Sequence, residues 1–363
     1  MAGLNEETFD YTPDYAVRPG ETLRETLEAL DMSQRELAER TGLSTKTINQ
    51  IVGGTAPLTQ DTALKLEQVT GVPARMWNSL ETNYRERLAR LRQQERLADQ
   101  QGWVDELPLP ALRQAKIITR TKHDRIGVLQ EFLAFFGVAD RDAWQRVWGQ
   151  PAAAFRQSPT LTADPVAVAA WLRQGELEAG AIDCAAYDED ALKDALAEAR
   201  SLMSGHPHEW HPHIVRAFAA AGVALVVLPE VKGARAFGAS RWLTPRKAIV
   251  QLSLRRKWED EFWFSLFHEA CHVLKHPKKN VFVSNGDPND GYEHEANLFA
   301  ARLLIPKEYE DALRSIRLLS EVEPFARKVG VPPGVVVGRL QHDGIFPYSV
   351  GHDLRRKFEF ARE

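Results

Sequence analysis

Through residues 18–73 apolar side chains recur at helical spacing in short runs separated by glycines. Leu23, Leu27 and Leu30 form one stripe after Pro19-Gly20 and predict a helix from about Glu21 to Leu30. A second helix opens at Ser33, an N-cap residue with Glu36 three positions on to complete a capping box, and runs to Thr41 before Gly42. Ser44 caps a third, Thr45 to Val52, which ends at Gly53-Gly54, and a fourth follows from about Gln60 to Val69. From Ala74 to about Gln101 the pattern is that of a long connecting helix, broken by Gly102–Pro110.

Beyond that break the spacing predicts helices over Ile126–Phe136, Asp142–Trp148, Pro165–Gly175 and Asp188–Met203, with no chemical motif among them. The period changes at Gly222. Val223–Leu228 is an apolar run of strand length, and Ala239–Leu243 with Ala248–Leu252 predicts a hairpin across Thr244-Pro245-Arg246-Lys247. Long helices are then expected from about Trp258 to Lys275 and from about Tyr292 to Leu304, before Pro306.

A chain of 363 residues is long for one core, so two or three domains are expected. No run of 18 apolar residues occurs, so no membrane contact is expected, and residues 1–15 have neither the basic start nor the apolar run of a signal peptide. The two cysteines, Cys184 and Cys271, imply no disulfide framework, and a cytoplasmic location is expected. The net charge of −4 matters less than its distribution. Residues 1–80 hold seven Lys or Arg against twelve Asp or Glu, whereas residues 82–96 hold five Arg against two Glu.

Candidate chemistry is concentrated in Phe267-His268-Glu269-Ala270-Cys271-His272, a His-Glu-x-x-His motif inside a helical pattern. Positions i and i+4 on a helix are about 40° apart and one turn along, so both imidazoles face one point. Two neutral imidazoles at that spacing can hold Zn²⁺, and Glu269 is placed to take a proton from the water the ion activates. A catalytic zinc needs a third ligand, and the carboxylates of Glu293-His294-Glu295 begin 21 residues after His272. Glu293 and Glu295 lie about 200° apart around the helix, so they cannot both face the histidines, and spacing alone leaves either as the candidate. A small buried side chain is expected for Cys271, and a position near the helix C-terminus for His276. The crowded His206, His208, His211 and His213 are expected at the surface or at a helix entry, because their two prolines disfavour a rigid helix that would preset ligands.

This region resembles the ImmA/IrrE family of metallopeptidases. The resemblance runs from about Gly222 to Ile305 through Gly238–Leu243, Ile249–Ser253, Phe262–Glu269, Glu293–Ala300 and Leu303–Pro306, with Cys271 where the family commonly has Gly. Val331–Leu340 fits the same family's tail. It implies a zinc-dependent endopeptidase acting on a regulatory protein. Glu293-x-x-Ala296-Asn297 further resembles the Glu-x-x-Ser-Asp arrangement of glutamate-ligated zincins, which implies that Glu293 is the third ligand and that Asn297 buttresses a metal histidine. Substrate would dock as an added strand at Ala248–Leu252. Tyr292, His294 and Arg241 are candidates to stabilise the oxyanion.

Ser33 to Ile51 resembles the Xre/Cro helix-turn-helix family. Ala38 is small where helices cross, Gly42 permits the tight turn, and Leu43, Ile48 and Ile51 fill the core. Thr45, Lys46, Asn49 and Gln50 are left outward, where Asn and Gln can read adenine and Lys can reach guanine or phosphate. Gln34 and Ser44, at the starts of their helices, complete the expected DNA-contacting set. The plain alternative is a bundle used only for dimerisation or partner binding, which the acidic balance favours.

The expected fold class is therefore α+β multidomain. It comprises an all-α helix-turn-helix bundle over 18–73, a connecting helix over 74–101 and a helical middle region over 102–220. A zincin-like domain with a small sheet over 221–306 and a helical tail over 307–363 follow. The order resembles the HigA-like antitoxin and repressor group. Two functions are expected from it: a homodimeric regulator on a double-stranded DNA operator that also cleaves a protein substrate, or an antitoxin whose zincin domain senses or binds a cognate toxin. A metal-free adaptor is a third.

Overall fold

The computed structural model describes residues 16–149, 163–279, 281–284 and 291–360. The acidic stretch 1–15, read above for a signal peptide, lies outside them. The chain divides into two compact units, Met1–Val104 and Asp105–Glu363.

The first unit contains α1 (Pro19–Ala29), α2 (Gln34–Thr41), α3 (Thr45–Val52), α4 (Gln60–Thr70) and α5 (Ala74–Asp99). Helix α1 starts two residues earlier than expected because proline is preorganised for a first turn. Ser33 Oγ accepts the Glu36 N–H at 3.1 Å, while the Glu36 carboxylate turns to Arg40 at 2.5 Å, so only half of the expected capping box forms. Gly42 ends α2 at φ 68°, a left-handed conformation that costs glycine little. Ser44 Oγ then accepts the Thr47 N–H at 3.0 Å and starts α3. Leu23, Leu27, Leu37, Ile48, Leu66 and Trp77 are buried together. Each such aliphatic side chain contributes about 1.5–3 kcal/mol. A Cβ on Gly20 would lie 2.3 Å from the Val52 carbonyl oxygen, so α1 and α3 touch through backbone at that point.

The second unit opens with short helices α6 (Leu109–Gln114), α7 (Arg125–Phe136) and α8 (Arg141–Trp144), then α9 (Pro165–Ala181), α10 (Glu189–Leu202) and α11 (Pro207–Ala220). Strands β1 (Val223–Val227), β2 (Gly238–Thr244) and β3 (Lys247–Leu252) precede α12 (Glu259–Lys275). After β4 (Phe282–Ser284) come α13 (Gly291–Leu304), α14 (Glu310–Ser315), α15 (Val322–Val329) and α16 (Pro333–His342). The sheet order is β1-β3-β2-β4, with β1 parallel to β3 and the other pairs antiparallel.

Several expectations change here. The break at Gly102–Pro110 is a 3₁₀ stretch, Gln101–Glu106, running almost into α6. Helix α9 does not stop at Gly175; a Cβ there would fall 1.9 Å from Gln251 Oε1, so the glycine lets α9 lie on the sheet. The His-rich stretch is one helix after all, α11, with Pro207 in its first turn and Pro212 inside it. Trp210, Ile214 and Phe218 bury one side of α11, which outweighs the backbone bond lost at Pro212, and the four histidines face outward. Strand β3 is paired on both sides, so Ala248–Leu252 has no free edge for an added substrate strand. Strand β4 was not foreseen. Finally, α10 and α11 share one core with β1, β3, α12, α13, α15 and α16, so the core has no break at 221 or 307.

Candidate metal centre and helix-turn-helix surface

Helix α12 carries the motif through the middle of this core. Phe262, Leu266, Ala270 and Val273 are buried as the stripe requires, and Trp263 and Phe267 are buried too, so the helix is enclosed on most sides. Its first turn holds Glu259, Asp260 and Glu261, favourable at the positive end of the helix dipole. Asp260 pairs with Arg355 through two contacts of 2.9 and 2.8 Å, and Glu259 with Arg356 at 2.6 Å. Gly334 and Gly338 make room for these carboxylates: a Cβ would come within 2.5 and 2.1 Å of their oxygens. The C-terminal segment thereby anchors the start of the helix that carries His268.

His268 and His272 bring their Nε2 atoms to 3.0 Å, with 4% and 1% of each residue exposed. From α13, Glu293 reaches both, with Oε2 at 3.2 Å from His268 and Oε1 at 3.3 Å from His272. One ligand atom from each of the three lies within 4.8 Å of the others. Asn297, one turn after Glu293, meets His268 Nδ1 through its Oδ1 at 3.0 Å. Burial pushes the Glu293 carboxyl up, but hydrogen bonds and charge from the two histidines outweigh it and hold it at about 2. Burial likewise lowers His268, and Glu293 with Glu269 more than reverses this and raises it. A cation among the three residues would meet the same attraction. Two imidazole nitrogens and a carboxylate are a donor set that suits zinc.

Glu269 is fully buried and accepts a hydrogen bond from Ser240 Oγ at 2.8 Å. Its carboxylate lies over Gly238, where a Cβ would come within 2.6 Å of Oε1. Alternation along β2 sends Arg241 to the opposite face, where it donates to the Leu172 carbonyl and Glu176, both at 2.9 Å. Arg241 is thus removed as an oxyanion candidate. His294 is exposed, and Tyr292 packs its ring on His276 and Phe282. Cys271 is buried and outside the ligand group, and burial pushes its thiol up to about 12.

Four contributors escaped the sequence reading. Ser240 and Gly238 lie on β2, 29 and 31 residues before Glu269, and no short motif links them. Phe282 of β4 stacks on the His272 ring at 4.1 Å. His276 is buried and contacts His272 Nδ1 at 2.7 Å; its spacing of four from His272 was the available signal.

In the first unit Thr45, Lys46, Asn49 and Gln50 form an exposed surface on α3, and Gln34 at the start of α2 is half-buried. Ser44 is exposed, with its hydroxyl engaged as the cap of α3 and against Thr47 Oγ1 at 2.8 Å.

Residues 23–77 match the helix-turn-helix family model, and residues 235–341 match that of a peptidase family, the IrrE N-terminal-like domain. The chain joins a helix-turn-helix domain to an IrrE N-terminal-like domain. Over 64 residues the helix-turn-helix region is 36% identical to the uncharacterized HTH-type transcriptional regulator YddM of Escherichia coli (strain K12), covering 18% of this chain and 68% of that protein. It is 39% identical over 70 residues to virulence-associated protein I of Dichelobacter nodosus, covering 19% of this chain and 65% of that protein. The chain thus spans about two thirds of each relative. A solved addiction module antidote protein of the HigA family from Coxiella burnetii matches with 30% identity and a TM-score of 0.22, over 23% of this chain and 92% of that one. The IrrE N-terminal-like match takes in β2, β3, α12 and α13 and reaches α16. This helix-turn-helix regulator contains no helix, among the described residues, long and apolar enough to cross a membrane.

Proposed function

We propose that this protein represses transcription as a homodimer on a double-stranded DNA operator, and that its second unit is a zinc-dependent endopeptidase cutting a regulatory partner or the chain itself. One observation carries the enzymatic part: the imidazole nitrogens of His268 and His272, on the same helix as the buried Glu269, converge within 4.8 Å with the Glu293 carboxylate of α13. His268, His272 and Glu293 are the residues that would hold the ion. Bound there, zinc supplies a Lewis acid that polarises the scissile carbonyl and lowers the pKa of a water toward neutrality. Glu269 takes the proton of the attacking water and delivers it to the leaving amine. Ser240 fixes the Glu269 carboxylate, and Asn297 keeps the His268 proton on Nδ1, leaving Nε2 for the metal.

On the DNA side, Thr45, Lys46, Asn49 and Gln50 of α3 enter the major groove, while Gln34 and Ser44 meet phosphate. A homodimer would then protect two half-sites about one helical turn apart. The test of the enzymatic part is expression beside the products of neighbouring genes. Loss of one of those products, prevented by a zinc chelator, is expected; their persistence with zinc bound would oppose it.

A second reading is favoured by the enclosure of the site, with Glu269 fully buried and Phe282 lying on His272. In it the domain binds a cognate toxin and the metal is structural. Co-purification of a small toxin with the zinc-loaded protein, without cleavage, would decide for this reading.

A further inference from the structure

His268 and His272 stand one turn apart on α12 and His276 follows four residues on as its C-cap, used by neither the ligand set nor the proton transfer. We propose that His276 and Glu295 form a positioning relay that fixes the ring of His272 for the cation, an inference that rests on the metal reading above. The contacts run in one line. His272 Nδ1 lies 2.7 Å from His276 Nδ1, and His276 Nε2 lies 3.3 Å from Glu295 Oε2. Lys275 holds the far side of that carboxylate at 3.0 Å from Oε1.

The protons of this line can be ordered in one way that suits a ligand. An imidazole offers its Nε2 lone pair to a metal only when its proton sits on Nδ1, and that N–H needs an acceptor. For His268 the acceptor is Asn297 Oδ1. For His272 it is a second imidazole, which accepts through Nδ1 only if its own proton is on Nε2. That Nε2–H then faces Glu295, an acceptor-only carboxylate. The reverse order would put a proton on His272 Nε2, the atom whose lone pair must meet the metal. Packing limits the rings further: Phe282 stacks on His272 at 4.1 Å, and Tyr292 meets His276 at 4.7 Å. Helix α13 therefore supplies a ligand in Glu293 and, two residues on, the end of the relay for the other histidine.

The experiment is zinc affinity of the full-length apoprotein, measured by competition with a chromogenic chelator. His276→Phe keeps a ring but removes the acceptor, and zinc binding is expected to weaken about 10–100-fold. His276→Gln, whose side-chain oxygen can accept from His272, is expected to recover most of that loss. Glu295→Gln, which keeps an acceptor oxygen, is expected to stay near wild type, and Glu295→Ala to fall about tenfold. A folded His276→Phe protein that binds zinc as tightly as wild type would overturn the relay and leave the metal site standing. Failure of the wild-type protein to take up one zinc would overturn both. Should the variants not fold, nitrogen-15 NMR of histidine in the zinc-loaded wild type reads the protons directly. His276 protonated on Nε2 and bare on Nδ1 is the expected state, and the opposite tautomer would overturn the relay.

Discussion

Two uncharged residues define the place of Glu269. Ser240 donates to one of its oxygens, and Gly238 leaves the space the carboxylate occupies. A methyl group on Gly238 would overlap that side chain, so Gly238→Ala is expected to lower cleavage at least tenfold while zinc remains stoichiometric; turnover and metal content measured on the same sample check this. Ser240→Ala removes a hydrogen bond to a charged group, worth about 1.5–3 kcal/mol, and a loss of about tenfold in rate is expected from whatever part is specific to the transition state. On the DNA side, Asn49 is exposed with both amide groups available for an adenine edge. Asn49→Ala is expected to cost about 1–3 kcal/mol at one operator position, whereas Lys46→Ala should weaken all sequences if it reaches phosphate. Binding titrations on operator and scrambled duplexes at fixed salt separate the two.

The elements that place these residues differ in how openly the chain declares them. Helices α2 and α3 are legible because their stops and starts are local: Ser33 and Ser44 cap, and Gly42 takes the left-handed turn. The candidate metal residues of α12 are legible because His268 and His272 sit at helical spacing, whereas Glu293 of α13 is singled out only by the resemblance to glutamate-ligated zincins. Strand β4 is not, since three residues have no period and gain a strand identity only from pairing with Gly238–Ser240. Helix α11 is hidden by Pro212, whose lost backbone bond is outweighed by tertiary burial of Trp210, Ile214 and Phe218. The anchoring of α12 by Arg355 and Arg356 joins residues almost a hundred positions apart, a distance at which spacing says nothing. It has a measurable consequence. Asp260→Ala takes the two shortest ion-pair contacts from the Arg355 side chain and leaves it Glu261 at 3.8 Å and Gln341 at 3.3 Å, and a loss of about 3–5 kcal/mol is expected in chemical denaturation of the second unit. Loss of less than about 1 kcal/mol would mean that Arg355 escapes to solvent.

At the scale of the whole molecule, a unit that recognises DNA and a unit with a peptidase-type site share one chain. On the proposed function, such a chain would couple the occupancy of a promoter to the removal of a protein. The first 80 residues are acidic overall, so binding would depend on the few cations of the α2–α3 surface and on presenting two copies of it. The operator complex is therefore expected to weaken as salt rises, with a slope set by Lys46 and a small number of arginines; a salt titration checks this, and a slope near zero would favour the protein-binding alternative. The proposed cleavage depends most directly on the buried carboxylate of Glu269. The deciding measurement compares purified, zinc-loaded wild type with Glu269→Gln, following cleavage of co-encoded partners and of the chain itself over time. Equal zinc and equal DNA binding are expected, with cleavage by wild type and a loss of about 10²–10⁴-fold in the variant. Equal cleavage by the two proteins would overturn the role of Glu269 as the base.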